Sequence, residues 1–530
     1  MSMAIAHCSC DAARMRKIAL ALMALLGASV SCAAREAGRR AEIHDADTLA
    51  WWHTTEALSG DAMEGRDTGS PAYQRAAEYV AKRLEAAGLK PAGENGSYFQ
   101  PVPMHEIAAS KEGTDFTLLR ADGSQTQLRF LEEISYEPQE GLPAQLEGAL
   151  TFRGFCGRNE MENVAGKIVV CFGNRRASLP GEDARVDNAV AGHALGIVNV
   201  DDPHFTIEPP RWPVAYARKV TLRGGPGGDA RSFCVMRLSA AAFESFVRQT
   251  GRDAAALLDE GGSQKSLPSF DIPSRLRVHV HQVAREISSP NVLAVLPGVK
   301  TSGEYVVVSA HLDGYGFGTP VDGDKLYNGT LDDAAYVALL IQMADDIRSH
   351  ELPPPDRSIL FAAFTGEEKG LLGSKWFVQH PTVPISQLAA NVNLDQLRPL
   401  FPLHILTTEA LEDTSLGNIA RGVATSMHIQ LRPDGEPERH LLRRADQYPF
   451  LLHGVPAISF VFGYDPGTES EQRYREWYRT RYHRPQDDLT QPMDFNAAAR
   501  FNEFFYKLVA AISSAPARPQ ILRSSQFSSE

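Results

Sequence analysis

The sequence predicts an α/β protein with a mixed, mostly parallel central sheet covered by helices and a β-rich inserted domain. Two changes of texture along the chain predict it. From Ser289 onward, apolar runs of strand length ("NVLAVLPG", "YVVVSAH", "SILFAAF", "ANVNLD", "AISFVF") alternate with helical segments such as "DDAAYVALLIQMADDI". Strands that are apolar on both faces and separated by helices belong to a parallel sheet with helices packed over it. From about Pro138 to Glu286, short apolar runs such as "KIVVCF" and "GIVNV" are separated by Gly, Pro and charged clusters without long helical periodicity. That pattern predicts a separate β-rich unit with its own small core.

The elements follow in chain order. "RMRK" followed by "IALALMALLGASVSCAA" has the basic start, short apolar core and small-residue end of a secretory signal. A membrane span needs roughly 20 apolar residues, so cleavage near Ala33 or Ala34 and an exported, periplasmic or extracellular protein are expected. An uncleaved anchor, or lipid attachment at Cys32, is the alternative for this segment. From Ala41 to about Gly93 the pattern is helical, and "YQRAAEYVAKRLEAAGLKPAG" puts Ala76, Tyr79, Val80, Leu84 and Ala87 on one stripe before a glycine stop. Residues 1–34 are therefore read as the signal, 41–137 and 286–514 as two parts of one domain, and 138–285 as the insert. Residues 515–530, polar and aperiodic, are read as a disordered tail.

Composition narrows the function classes. A chain of 530 residues, 43% hydrophobic and 22% charged, buries a large core in more than one unit. Its net charge of -12 argues against a nucleic-acid surface or a general attraction to anionic membranes, leaving small, peptidic or neutral partners. After signal cleavage Cys156, Cys171 and Cys234 remain, enough for one disulfide and one free thiol, and no C-x-x-C pair offers a thiolate metal site. Any bound metal must be held by His and carboxylates.

Those residue types fall where ligands are expected. "VVVSAHLD" ends in His311 and Asp313, "LFAAFTGEE" in Glu367 and Glu368, and "NVNLD" in Asp395, while Asp332 and Asp333 open a helix and His483 lies in "YHRPQDDL" past the last strand. Ligands of open α/β sheets bind beyond the carboxyl ends of the strands, so these side chains can converge. A catalytic zinc pair needs a bridging carboxylate plus further oxygen and imidazole ligands, and His311, Asp332, Glu368, Asp395 and His483 supply that set. Successive side chains at a strand end point in different directions. Glu368 can then face metal while Glu367 faces an attacking water. Taken singly, each feature has a plainer reading: a surface histidine beside an acid, a helix-dipole charge at Asp333, a solvated glutamate pair. Their joint order is what points to chemistry.

That order, "SAHLDG", "NGTLDDAAYVALL", "AFTGEEKGLLGS", "NVNLDQL", "RADQYPFLLHGVPAISF" and "YHRPQDDL", together with the leading "LSGDAMEGRDTGSPAYQRAAEYVAKRLEAAGLKPAG", resembles the zinc-dependent exopeptidase family of bacterial aminopeptidases, glutamate carboxypeptidases and glutaminyl cyclases. The resemblance implies two zinc ions per chain bridged by Asp332, one site completed by Glu368 and His483 and the other by His311 and Asp395. It further implies Glu367 as general base, Asp313 as the carboxylate orienting His311, and peptide substrates. The insert resembles a protease-associated domain through "VAGKIVVCF" and "NAVAGHALGIVNV". Where the family more often has Ser-Asp-His, this chain has Ala445-Asp446-Gln447, which bears on pocket shape. Tyr464 is a candidate to hydrogen-bond the oxyanion, and a packed tyrosine is its alternative reading. Aminopeptidase activity is the favoured expectation. Carboxypeptidase activity, with Arg443 and Arg444 as a carboxylate clamp, and a receptor-like binding protein are its rivals.

Overall fold

The computed structural model describes residues 40, 43–173, 179–205, 217–224, 233–395 and 397–528. The expected signal segment 1–34 and the candidate anchor Cys32 lie outside them. Among the described residues no helix is long and apolar enough to cross a membrane.

Nine strands form the path of the large sheet: β1 (Phe99–Ala109), β2 (Arg218–Leu222), β3 (Gln282–Leu296), β4 (Thr301–His311), β5 (Arg357–Phe364), β6 (Leu388–Asn393), β7 (Ile405–Glu409), β8 (Gln430–Arg432) and β9 (Ala457–Phe462). Their order is β8-β7-β9-β6-β4-β5-β3-β1-β2, and the two-residue strand Lys90–Pro91 adds to β3. The central four, β9, β6, β4 and β5, are mutually parallel. The flanking pairs β3–β5, β1–β3, β1–β2 and β7–β9 are antiparallel. Every residue of β5 and β6 is buried, the continuous apolar signature of strands covered on both faces.

The covering helices are placed by their ends. Ser70 caps the helix Pro71–Ala86 through the Tyr73 amide, with Pro71 in the first turn. Its buried face includes Ala76, Val80 and Leu84, while Tyr79 from the expected stripe is only half-buried and meets Arg83. The helix Ala46–Ser59 packs on the helix Ala335–Arg348, and the Trp51 indole donates to the Ala335 carbonyl at 2.6 Å. That bond pins the first turn of the helix that follows Asp332 and Asp333.

A second, eight-stranded sheet with its own core, including Phe116, Phe152, Val170 and Phe243, is built from residues between Asp115 and His279. It starts ahead of the expected boundary at 138, because Asp115–Arg120, Gln125–Leu128 and Ile134–Tyr136 join it. These strands are short and only partly buried, so they lack the unbroken apolar runs that marked the rest. β2 departs in the other direction: it lies within the insert's sequence but pairs with β1 of the large sheet. Cys156 and Cys171 form a disulfide and Cys234 is a buried free thiol.

The C-terminal segment corrects the expectation of a disordered tail. Thr414 bridges Ile521, the Leu522 amide donates to the Asp413 carbonyl at 2.8 Å, and the Phe527 ring meets Tyr448. Backbone pairing of this kind leaves no periodic trace in side-chain polarity, which is why composition suggested otherwise.

Candidate metal centre

The carboxyl ends of β4, β5 and β6 lie side by side, and the chain delivers its acids and imidazoles there. His311 is the last residue of β4, Glu367 and Glu368 follow β5, and Asp395 follows β6. Asp332 comes from the irregular turn Thr330–Ala334, whose peptide bond to Asp333 is cis. His483 comes from the stretch after the helix Glu469–Thr480. The turn before Asp332 requires Gly329: its φ is +61°, and a Cβ there would lie 2.4 Å from the Asp332 carbonyl oxygen.

Asp332 sits at the centre of the cluster, with one oxygen toward each imidazole. Oδ1 is 3.1 Å from His311 Nε2 and Oδ2 is 3.0 Å from His483 Nε2. Asp395 Oδ1 lies 3.9 Å from His311 Nε2, and Glu368 Oε2 lies 3.3 Å from His483 Nε2. Two triads thus share Asp332: His311, Asp332 and Asp395 on one side, and Asp332, Glu368 and His483 on the other, each with ligand-type atoms within 4.8 Å of one another.

Left to themselves these groups repel one another. Burial, reinforced by the charges of Asp395, Glu368 and Asp446, drives the Glu367 carboxyl well above its usual range. Burial and Asp332 do the same to Glu368. Burial also raises Asp395 to about 6. Asp332 goes the other way: burial pushes it up, but hydrogen bonds to His311 and His483 carry it well below the carboxylate norm. Burial would lower His311, yet Asp333, Glu367 and the other acids around it lift it well above the imidazole norm. Glu368 Oε1 and Asp395 Oδ1 are buried without a hydrogen-bond donor. Clustered buried carboxylate oxygens without donors, interleaved with imidazoles, are the donor set that hard or borderline cations take. The residues fit a metal pair.

A further layer of residues holds this set. The Asp313 carboxylate accepts the amides of Glu367 (3.0 Å) and Glu368 (3.4 Å) and the Thr68 hydroxyl (2.8 Å). Its carboxylate is 3.7 Å from His311 Nδ1, and the ring is hydrogen-bonded by the Asp313 carbonyl at 3.1 Å instead. Asp313 therefore fixes the glutamate turn through its side chain and the imidazole through its backbone. Asp333 is no solvated helix start: it is fully buried and accepts the His311 amide at 3.1 Å.

Four residues escaped the sequence reading. Asp487, inside the quoted "YHRPQDDL", accepts the amides of Leu331 (3.0 Å) and Asp332 (3.1 Å) and so positions the shared carboxylate. The Tyr315 hydroxyl lies between Glu368 and His483, 2.9 Å from His483 Nδ1. Arg66, fully buried, donates to the carbonyls of Leu58, Leu312, Asn328 and Gly329, joining the loops that carry Asp313 and Asp332. Burial draws its pKa down to about 10. Arg398, also fully buried, lies against the rings of Trp477, Tyr478 and Tyr482, and Tyr482 stacks on His483 at 3.9 Å. Residue types alone carried no signal for these roles, apart from the acid pair next to His483 in the motif.

Tyr464 is not brought into the cluster by its contacts. Its ring packs on Tyr474 and its hydroxyl pairs with Arg475 at 3.2 Å, because the helix Glu469–Thr480 turns its aromatic face toward it. Of the arginine pair, Arg443 is exposed and Arg444 donates to the Tyr482 hydroxyl at 3.2 Å. In the departing tripeptide, Asp446 accepts from Ser374 and is raised by burial to about 7. Gln447 accepts from Asn393 at 3.0 Å, two positions before Asp395, so it braces the strand end rather than facing a metal.

Comparison with known proteins adds a family to this geometry. Residues 291–509, the segment that supplies His311, Asp332, Glu367, Glu368, Asp395 and His483, match the model of Peptidase family M28. A probable zinc metalloprotease of Pyrenophora tritici-repentis (strain Pt-1C-BFP) is 26% identical over 268 residues, 44% of this chain and 59% of that protein. A glutamate carboxypeptidase 2 homolog of Caenorhabditis elegans is 27% identical over 272 residues, 46% of this chain and 33% of that protein. The chain thus spans less than two thirds of either relative. Among solved structures, an aminopeptidase from Aneurinibacillus sp. strain AM-1 superposes with a TM-score of 0.57 at 18% identity, covering 90% of this chain and 95% of its own. At that identity the likeness is one of fold.

Proposed function

We propose, from the premise that residues 291–509 are a segment of peptidase family M28, that the chain is a two-zinc exopeptidase and that it removes residues from the amino ends of peptides. The observation that supports this most is the placement of Asp332, with one carboxylate oxygen on each imidazole and a second carboxylate completing either triad. His311 and Asp395 would hold one ion, Glu368 and His483 the other, and Asp332 both. A zinc pair in that position supplies Lewis acidity toward a peptide carbonyl and toward a water.

The chain's own residues do the rest. Glu367 is buried beside the triads without belonging to the shared Asp332 set, and its amide is tied to Asp313. Its carboxylate takes a proton from the water that adds to the scissile carbonyl carbon, and returns it to the amine nitrogen as the carbon–nitrogen bond breaks. Asp313 and Asp487 keep the base and the shared ligand in place through backbone amides.

The carboxypeptidase reading rests on Arg444, whose charge reaches Asp395 and which could pair with a substrate carboxylate. The protease-associated character of the second sheet and export of the chain belong to the same proposal. The test is digestion of a peptide mixture, half with blocked amino ends, beside a Glu367→Gln control. Loss of single residues from free amino ends only, absent in the control, is expected. Trimming of blocked peptides from the carboxyl end would replace the aminopeptidase reading with the carboxypeptidase one. Absence of both cleavage and zinc would favour a binding protein.

A further inference from the structure

A chain of polar contacts runs from the insert's sequence into the metal centre. Arg218 opens β2, the one strand that leaves the insert's sequence to extend the large sheet among the described residues. Its guanidinium forks three ways: Nε to the Glu106 carboxylate, one amino group to Asp67 Oδ2, and the other to the Thr68 carbonyl at 2.8 Å. Glu106 is buried and also accepts from Arg285, so it anchors the fork. From Asp67 and Thr68 two arms continue. The other Asp67 oxygen faces Lys369 Nζ at 3.4 Å, and Lys369, the residue after Glu368, is almost fully covered and lies over the Tyr315 ring at 4.9 Å. The Thr68 hydroxyl donates to Asp313, which receives the amides of Glu367 and Glu368.

We propose that Arg218 is a positioning residue: through Asp67–Lys369 and through Thr68–Asp313 it holds both ends of the Glu367–Glu368–Lys369 turn in register with the metal ligands. The turn carries both the base and one ligand; besides its own backbone bonds, in which the Glu367 carbonyl accepts the Gly370 and Leu371 amides, the Glu367 and Glu368 amides are fastened by one carboxylate, Asp313, that is itself fastened from the Thr68 side. A planar guanidinium fixed at three points sets direction as well as distance. Lysine in its place keeps the charge but not the fork. The insert's sequence thereby bears on the chemistry without supplying any group that touches it. This inference rests on the metal-centre reading above.

The test separates the two. Cobalt(II) is loaded into wild type and into Arg218→Ala, Arg218→Lys, Asp67→Asn and Thr68→Val, and the visible absorption of the bound cobalt is recorded together with kcat, KM and the pH profile of kcat. The expected result is an altered cobalt spectrum in Arg218→Ala and Asp67→Asn, with kcat down about 10-fold and KM within about twofold. Arg218→Lys should recover part of kcat but not the wild-type spectrum, and the Arg218/Asp67 double variant should be no worse than the singles. An unchanged spectrum, kcat and pH profile with only a lowered Tm would make Arg218 a docking contact and overturn the proposal. Should Arg218→Ala not fold, Thr68→Val, which breaks one arm within a buried pocket of similar volume, decides in the same way. If peptide cleavage is absent throughout, the cobalt spectrum alone still decides on Arg218, so failure of the exopeptidase reading is seen separately.

Discussion

Two groups of buried or half-buried carboxylates in this molecule face the same electrostatic difficulty and resolve it differently. At the strand ends, Asp332, Glu367, Glu368 and Asp395 crowd around two imidazoles, and Glu368 Oε1 and Asp395 Oδ1 lack donors. Elsewhere, Asp47 and Asp346 meet where the helices Ala46–Ser59, Ala335–Arg348 and Phe495–Ser514 converge on a cavity of about 710 Å³. There, Gln342 donates to Asp346 at 2.8 Å and the Tyr506 hydroxyl reaches Asp47 at 3.4 Å. The second group has neutral donors and a raised pKa, which a proton satisfies. The first has raised carboxyls as well, but sets them among imidazoles and open oxygens, the donor set that a cation takes. Acidity and burial alone do not distinguish a metal centre; the kind of partner does.

The largest break in this comparison is Asp332→Asn. An amide cannot neutralise one cation on each side, so metal content measured by elemental analysis should fall from two ions to at most one per chain. Activity should fall below that of Glu367→Gln, which keeps its metal and loses a general base worth ~10² to 10⁴ in rate. Two retained ions in Asp332→Asn would remove the shared-ligand reading. A smaller effect is expected at Asp487, which touches no proposed ligand side chain but accepts the Leu331 and Asp332 amides. Asp487→Asn can accept only one of them, so metal affinity by chelator competition should weaken about 10- to 100-fold, as for other residues that orient a ligand. Unchanged affinity would mean that the Asp332 loop holds its own shape.

How much of this was legible beforehand follows from the same contrast. His311, Glu367, Glu368 and Asp395 stood out because central parallel strands are apolar throughout, so a polar residue at their ends is conspicuous. Asp332 and His483 needed the order of the motifs as well. Arg66, Tyr315, Asp487 and Arg218 were not legible, because each acts through contacts far away in the chain; Arg66, for example, bonds the carbonyls of Leu312 and Gly329. A bond to a backbone carbonyl or amide leaves no requirement on the partner's side chain, and hence no pattern. The insert's early strands were missed for a different reason, since a short, partly buried strand such as Asp115–Arg120 mixes polarity within a few residues.

The smallest predicted effect sharpens the comparison from its other side. Burial and the neighbouring Asp47 raise the Asp346 carboxyl from 3.8 to about 7, in a setting that also includes Asp45, Glu351, His404, Arg500, Glu503 and Tyr506 around the cavity. A carboxyl raised in the folded state binds more protons folded than unfolded between those two values, so stability is lost as pH climbs from about 4 through 7. Asp346→Asn keeps the shape, removes the charge and can donate to Asp47. Its Tm should exceed that of wild type at pH 8 by on the order of 1–3 °C, with no gain at pH 4, where wild-type Asp346 already holds its proton. The measurement is thermal unfolding across that range with the metal site kept saturated, so that the strand-end cluster contributes equally to both proteins. An equal shift at both pH values would mean that packing, not charge, governs the pair, and the two acidic clusters would then differ in more than their partners.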